Sequence, residues 1–152
     1  MERFSAAFPG RPSSVAAARG WLEDLLSPAR RRFMIPDDVR ATAVLLLSEL
    51  ATNALQHTRS ADGGTYTVNV CVCSGLVRVE VEDAGPRNGQ RAKLREAGPQ
   101  DETGRGLALV AAFADTWGPL PRGRGMYCRL SWCTEDLSTA AAPPQPGALR
   151  QR

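Results

Sequence analysis

Three short stretches carry residues whose types and spacing could do chemistry. In SELATNALQH, residues 48–57, Glu49 and Asn53 are four apart. On an α-helix that spacing sets two side chains about 40° apart on one face. A carboxylate able to take a proton and an amide oxygen able to hold a cation would then project together. In VEDAG, residues 81–85, Asp83 stands at the end of an alternating run and Gly85 follows two residues later. Such a carboxylate can accept from a ring amine, and a glycine lets a ligand lie against bare backbone. In TGRG, residues 103–106, Gly104, Arg105 and Gly106 open a helical pattern whose free N–H groups and positive dipole end suit an anion.

Each stretch also has a plainer reading. Glu49 and Asn53 would be an exposed pair if the core face of their helix were carried by Ala41, Leu45, Thr52 and Leu55. If Leu46, Leu50 and Ala54 carry it instead, the pair is partly buried and needs a cation, water or ligand. Asp-x-Gly alone is commonly an Asx turn. Gly104-Arg105-Gly106 is not a dinucleotide fingerprint, because Leu109 stands at the third glycine position, and it lacks the lysine of a P-loop.

The elements that must position these residues follow from periodicity. Residues 2–8 read as a short edge strand closed by Pro9-Gly10. With Ser13 or Ser14 as N-cap, Val15, Ala18, Leu22, Leu25 and Leu26 give a first helix ending before Pro28. Pro36, Asp37 and Asp38 start a second that runs to His57. Tyr66, Val68, Val70 and Val72 alternate with polar neighbours, as do Val77, Val79 and Val81, and Ser74-Gly75 joins the two strands as a hairpin. Asp83, in phase with those valines, points its carboxylate toward the core face. Residues 86–103 form a polar, Gly/Pro-punctuated segment that is either a lid or a disordered insert. A third helix spans Gly104 to Asp115 and a last strand spans Gly125 to Trp132. This order predicts an α+β, two-layer sandwich in which a mixed, mostly antiparallel sheet carries helices on one face. Residues 1–133 form one domain, and the Pro/Ala-rich residues 134–152 form a disordered tail.

Composition narrows the function. The net charge of +3 comes from scattered arginines, with Arg30, Arg31 and Arg32 the only run, so a solvated face is expected there rather than a nucleic-acid surface. The start MERFSAAFPG has no apolar signal region and no stretch is long enough to span a membrane, which predicts a cytoplasmic protein without membrane attachment. Cys71, Cys73, Cys128 and Cys133 include no CxxC pair, so buried thiols are expected rather than a metal site.

The boxes ELATNALQH, VEDAGP and TGRGLALV, followed by ADTWG, resemble in order the N box and the two glycine boxes of the Bergerat-fold (GHKL) ATPases. Among these the chain is most similar to the bacterial anti-sigma-factor serine/threonine kinases and their stand-alone ATP-binding relatives. The resemblance covers about Phe8 to Trp132. It implies ATP and Mg²⁺ as cofactors, Glu49 as the residue that orients or deprotonates the nucleophile, and Asn53 as the Mg²⁺ ligand. It implies that Asp83 accepts from the adenine amine, that Gly85 lies beneath the base, and that Gly104, Arg105, Gly106 and Leu107 form the phosphate-side box. Arg91, Lys93 and Arg95 would add charge from the lid. The implied partners are a sigma factor and a STAS-type anti-anti-sigma protein, with a homodimer by analogy; the alternative is a non-catalytic, ATP-gated interaction module. His57, the only histidine, faces either phosphate or solvent, and this sequence has no separate acceptor histidine of the kind a self-phosphorylating histidine kinase needs. Some relatives carry Thr after the glycine of the last strand, where this chain has Met126.

Overall fold

The computed structural model describes residues 1–57, 63–85, 102–121 and 124–134. The chain runs β1 (Glu2–Pro9), α1 (Ser13–Leu25), a single 3-10 turn (Pro28–Arg30), α2 (Asp37–His57), β2 (Thr65–Cys73), β3 (Leu76–Glu82), α3 (Glu102–Phe113), β4 (Thr116–Pro119) and β5 (Gly125–Ser131). The strands form one sheet in the order β1-β2-β3-β5-β4, with all four pairings antiparallel. Because side chains alternate along a strand, one sheet face collects the valines. Register places Val68 opposite Val81, Val70 opposite Val79 and Val72 opposite Val77, and all six are buried.

The helices cover that face, giving the expected α+β two-layer sandwich. α2 lies centrally, in contact with α1, α3, β3 and β5. Its buried stripe is Ala43, Leu46, Leu47, Leu50, Ala51 and Ala54, a 3.6-period face directed at the sheet. Ala41 and Leu45 are exposed, Leu45 at 41%. The alternative core face is therefore excluded, although Leu55, one of its four residues, is buried. The opposite sheet face is polar: Arg78 lies 3.7 Å above the Tyr127 ring and donates to Glu80 at 2.7 Å.

Four expectations change on the structure. Pro12 occupies the N-cap of α1, with no side-chain cap, and Ser14 lies buried in the first turn. Its hydroxyl is within 2.6 Å of the Pro9 carbonyl, 2.7 Å of the Arg11 carbonyl and 3.1 Å of the Tyr66 hydroxyl. A serine between a strand and a helix can satisfy loop carbonyls as readily as it caps. The basic run is not uniformly solvated, because the Arg31 side chain is 3% exposed, paired with Glu2, lying 4.6 Å above the Phe4 ring and donating to the Leu25 carbonyl. Arg31 thus ties the β1 edge to the end of α1. β4 was hidden by Gly118 and Pro119 in four residues, too few to show alternation; Asp115 fixes it by accepting from Ser131 N and Oγ, each at 2.5 Å. Cys128 alone of the four cysteines is buried, Cys133 is exposed, and all four are free. Burial pushes the Cys128 thiol up to about 12, which keeps it an inert core group.

The proposed lid with Arg91, Lys93 and Arg95, and the tail from residue 135, lie outside the described residues. Among the described residues no helix is long and apolar enough to cross a membrane.

Candidate functional site

Glu49 and Asn53 sit on the shoulder of α2, partly buried beside the buried stripe rather than within it. This is the place a helix can hold polar side chains that must reach a ligand without burying charge in the core. Ser48, one residue before Glu49, turns its hydroxyl back to the Val44 carbonyl at 3.0 Å and so leaves the shoulder to the Glu/Asn pair.

α3 begins at Glu102, two residues before the expected Gly104, so its unpaired N–H groups are those of residues 102–105. Gly104 and Arg105 lie in the first turn, their side-chain surroundings outside the described set, and Gly106 sits just beyond it. Gly106 makes room for a neighbour, since a Cβ there would overlap the Oε2 of Glu49. The bare backbone of α3 thus accommodates the Glu49 carboxylate close to the helix's positive end. Four residues on, Val110 is fully buried and holds this face of α3 in the core. Leu107 is partly buried in the same segment. The structure therefore brings two of the three stretches together, with Glu49 and Gly106 57 positions apart in sequence.

The third stretch lies where β3 ends. Asp83 N donates to the Arg124 carbonyl at 3.3 Å, continuing the β3–β5 ladder by one residue. The Asp83 carboxylate accepts from Gly85 N at 2.7 Å, so the plain Asx-turn reading holds. That turn does not exhaust the carboxylate, which can accept further bonds. Gly85 is buried with φ +87°, a conformation few other residues adopt, and among the described residues the only neighbour a Cβ would meet is Arg124 Nε, at 3.8 Å. Gly85 thus has no side chain between its backbone and the Arg124 side chain, and the Asp83 carboxylate stands beside it as an acceptor. Met126 pairs with Val81, on the same sheet face and two residues short of Asp83, and is partly buried against the core.

Burial raises the Asp83 carboxyl above its ordinary value and Glu82 adds to this, while the Gly85 N–H and the Arg124 charge oppose it. A carboxyl that binds its proton more tightly when folded gives the fold stability that is gained as pH falls through its raised value toward its ordinary one. Above that value the ionised group is carried at a cost. A ligand amine that donates to the carboxylate offsets the cost. Asp83→Asn is therefore expected to raise the melting temperature of the ligand-free protein at neutral pH, since no charge is desolvated and the acceptor for Gly85 N remains. The same variant should lose most of the thermal shift given by ATP. Differential scanning fluorimetry with and without nucleotide checks both signs at once; a lower melting temperature without nucleotide, or an intact ATP shift, would refute this account of Asp83.

Among the described residues no group of three or more His, Cys, Asp or Glu could hold a metal by itself. A divalent cation at Asn53 would have to share its coordination with ligand phosphates, which is the usual habit of Mg²⁺. His57 ends α2, and its side chain lies outside the described set. The sequence places the glycine of the last strand, Gly125, beside Asp83 only by resemblance and assigns nothing to Arg124, which stands in no box; the signal that could have found it is the Arg-Gly step that begins the last strand.

The histidine kinase-like ATPase domain family matches residues 8–132. An uncharacterized protein of Streptomyces coelicolor is 37% identical over 102 residues, which cover 64% of this chain and 94% of the relative.

Proposed function

Because the chain belongs to the histidine kinase-like ATPase family, we infer that it is a Mg·ATP-dependent protein serine/threonine kinase of the anti-sigma-factor type, phosphorylating a STAS-type anti-anti-sigma partner and otherwise holding a sigma factor. The observation that carries this reading is the Glu49 carboxylate lodged against Gly106, beside the open end of α3. A carboxylate adjacent to a phosphate-binding helix end is placed to accept the proton of a hydroxyl as that hydroxyl attacks.

The residues present suit the ligands. Asp83 offers an acceptor to a ring amine, Gly85 offers a flat floor to the ring, and the first turn of α3 offers N–H donors to phosphate. Asn53, one turn from Glu49, would present its amide oxygen to Mg²⁺. Bound Mg·ATP supplies the phosphoryl group and neutralises its charge. Glu49 then orients the acceptor hydroxyl and takes its proton, while α3 and Asn53 fix where the phosphates lie.

Incubation with γ-labelled ATP and STAS-domain candidates encoded nearby tests the reading. Label should appear on a serine or threonine of one candidate. Tight ATP binding without any transfer, together with an ATP-dependent change in partner binding, would favour the non-catalytic interaction module instead.

A further inference from the structure

Arg124 is held in place by its backbone more firmly than an exposed arginine usually is. Its carbonyl accepts from Asp83 N at 3.3 Å, and Leu120 N donates to the next carbonyl, that of Gly125, at 2.9 Å. Gly125 itself can approach β3 only because it has no side chain. Two bonds and a close strand contact therefore fix the Arg124 Cα beside the end of β3. The side chain, exposed overall, reaches toward Gly85, with Nε 3.8 Å from the point a Gly85 Cβ would occupy. That is ordinary van der Waals contact with the floor of the Asp83–Gly85 turn, so the side chain lies where a ring would be received and, being exposed, can swing up to admit one beneath it.

We propose that Arg124 is a base-clamping residue, whose planar guanidinium packs against the face of the heteroaromatic ring that Asp83 and Gly85 receive. The proposal rests on the reading of this pocket as an ATP site and adds a determinant of base affinity to it. A guanidinium is the cation best suited to this role, since its plane stacks on a π-face while its charge is attracted to the ring. The same cation, lying near Asp83, favours the ionised carboxylate that accepts from the ring amine. One side chain thus serves both the face and the edge of the base.

The clamp acts on the base and not on the phosphates, which gives it a signature that a merely attractive positive charge lacks. Calorimetric titration with ATP and ADP, and ligand-observed NMR titration with adenosine, should show Arg124→Ala weakening all three by a common factor of about 3 to 30, the range of a desolvated cation–π contact. Arg124→Lys keeps the charge without the plane and should recover only a minor part of the loss. Ligand-free Arg124→Lys should melt with the parent, and ligand-free Arg124→Ala only slightly below it, since the charge that favours ionised Asp83 is lost. A loss confined to ATP and ADP, with adenosine unaffected, would overturn the clamp and make Arg124 a phosphate-attracting charge. Unchanged affinity for all three would make it a solvated arginine. Full rescue by lysine would also overturn it. A parent chain that binds none of the three ligands would overturn the ATP reading and the clamp together, whereas an intact parent and an insensitive Arg124→Ala would overturn the clamp alone.

Discussion

Glu49→Gln is expected to lower phosphoryl transfer by about 10²- to 10⁴-fold, the range for a lost general base, with ATP affinity close to that of the parent. The amide keeps the shape of the carboxylate and still fits against Gly106, but it cannot take the proton of the acceptor hydroxyl. Asn53→Ala should behave differently. It removes an oxygen that would hold Mg²⁺, so Mg·ATP binding weakens while binding measured without Mg²⁺ changes little. Calorimetry in Mg²⁺ and in EDTA, beside single-turnover transfer, separates the two residues. Should Glu49→Gln abolish binding while Asn53→Ala leaves it intact, the two roles on α2 are reversed. If neither change matters, the pair is only a polar shoulder on a helix.

The reason the Glu/Asn pair could be recognised in sequence at all is that α2 has a strong period. Leu46, Leu47, Leu50, Ala51 and Ala54 mark one buried face, and a carboxylate and an amide placed on its shoulder contradict the solvation such side chains normally seek. The valine alternation of β2 and β3 was equally legible, because each strand buries one face only and a slip by one residue would expose every valine. What stayed hidden depends on contacts between distant segments. Four-residue β4 shows no period of its own and exists because β5 pairs with it and Asp115 bonds Ser131. Arg31 belongs to a basic run that looked like a solvated face, and its burial arises from Phe4 and Glu2 nearly 30 positions away. The contact between Glu49 and Gly106 is of the same kind. The sequence contains the two groups, but only the packing of α3 on α2 makes Gly106 the residue where a side chain would displace the Glu49 carboxylate.

Gly125→Ala is expected to destabilise the fold by about 3 kcal/mol or more, among the largest single-site losses in the described residues. Two causes add. With φ +127°, Gly125 holds a backbone conformation that a side chain makes costly by about 1–3 kcal/mol. An added Cβ would also overlap the Val81 carbonyl and come within 2.9 Å of Glu82 Cα and 3.0 Å of Leu120 Cδ1. The first two are backbone atoms of β3, so no rotamer change relieves them, and β5 would have to move away from the strand that carries Asp83. For a domain of this size each kcal/mol is worth about 2–4 °C, so the melting temperature should fall by roughly 6–12 °C or more. Gly20→Ala is the matched control: Gly20 lies within α1 with nothing among the described residues within 4 Å of a new Cβ, and alanine there should stabilise by about 0.5–1 kcal/mol. The same substitution at two glycines should thus move thermal and urea denaturation in opposite directions. Nucleotide affinity of whatever Gly125→Ala protein remains folded should fall as well, since Arg124 and the Asp83 ladder bond move with β5. A Gly125→Ala protein as stable as the parent would mean that β5 does not approach β3 as closely as this geometry requires, and the fixed position of Arg124 would go with it.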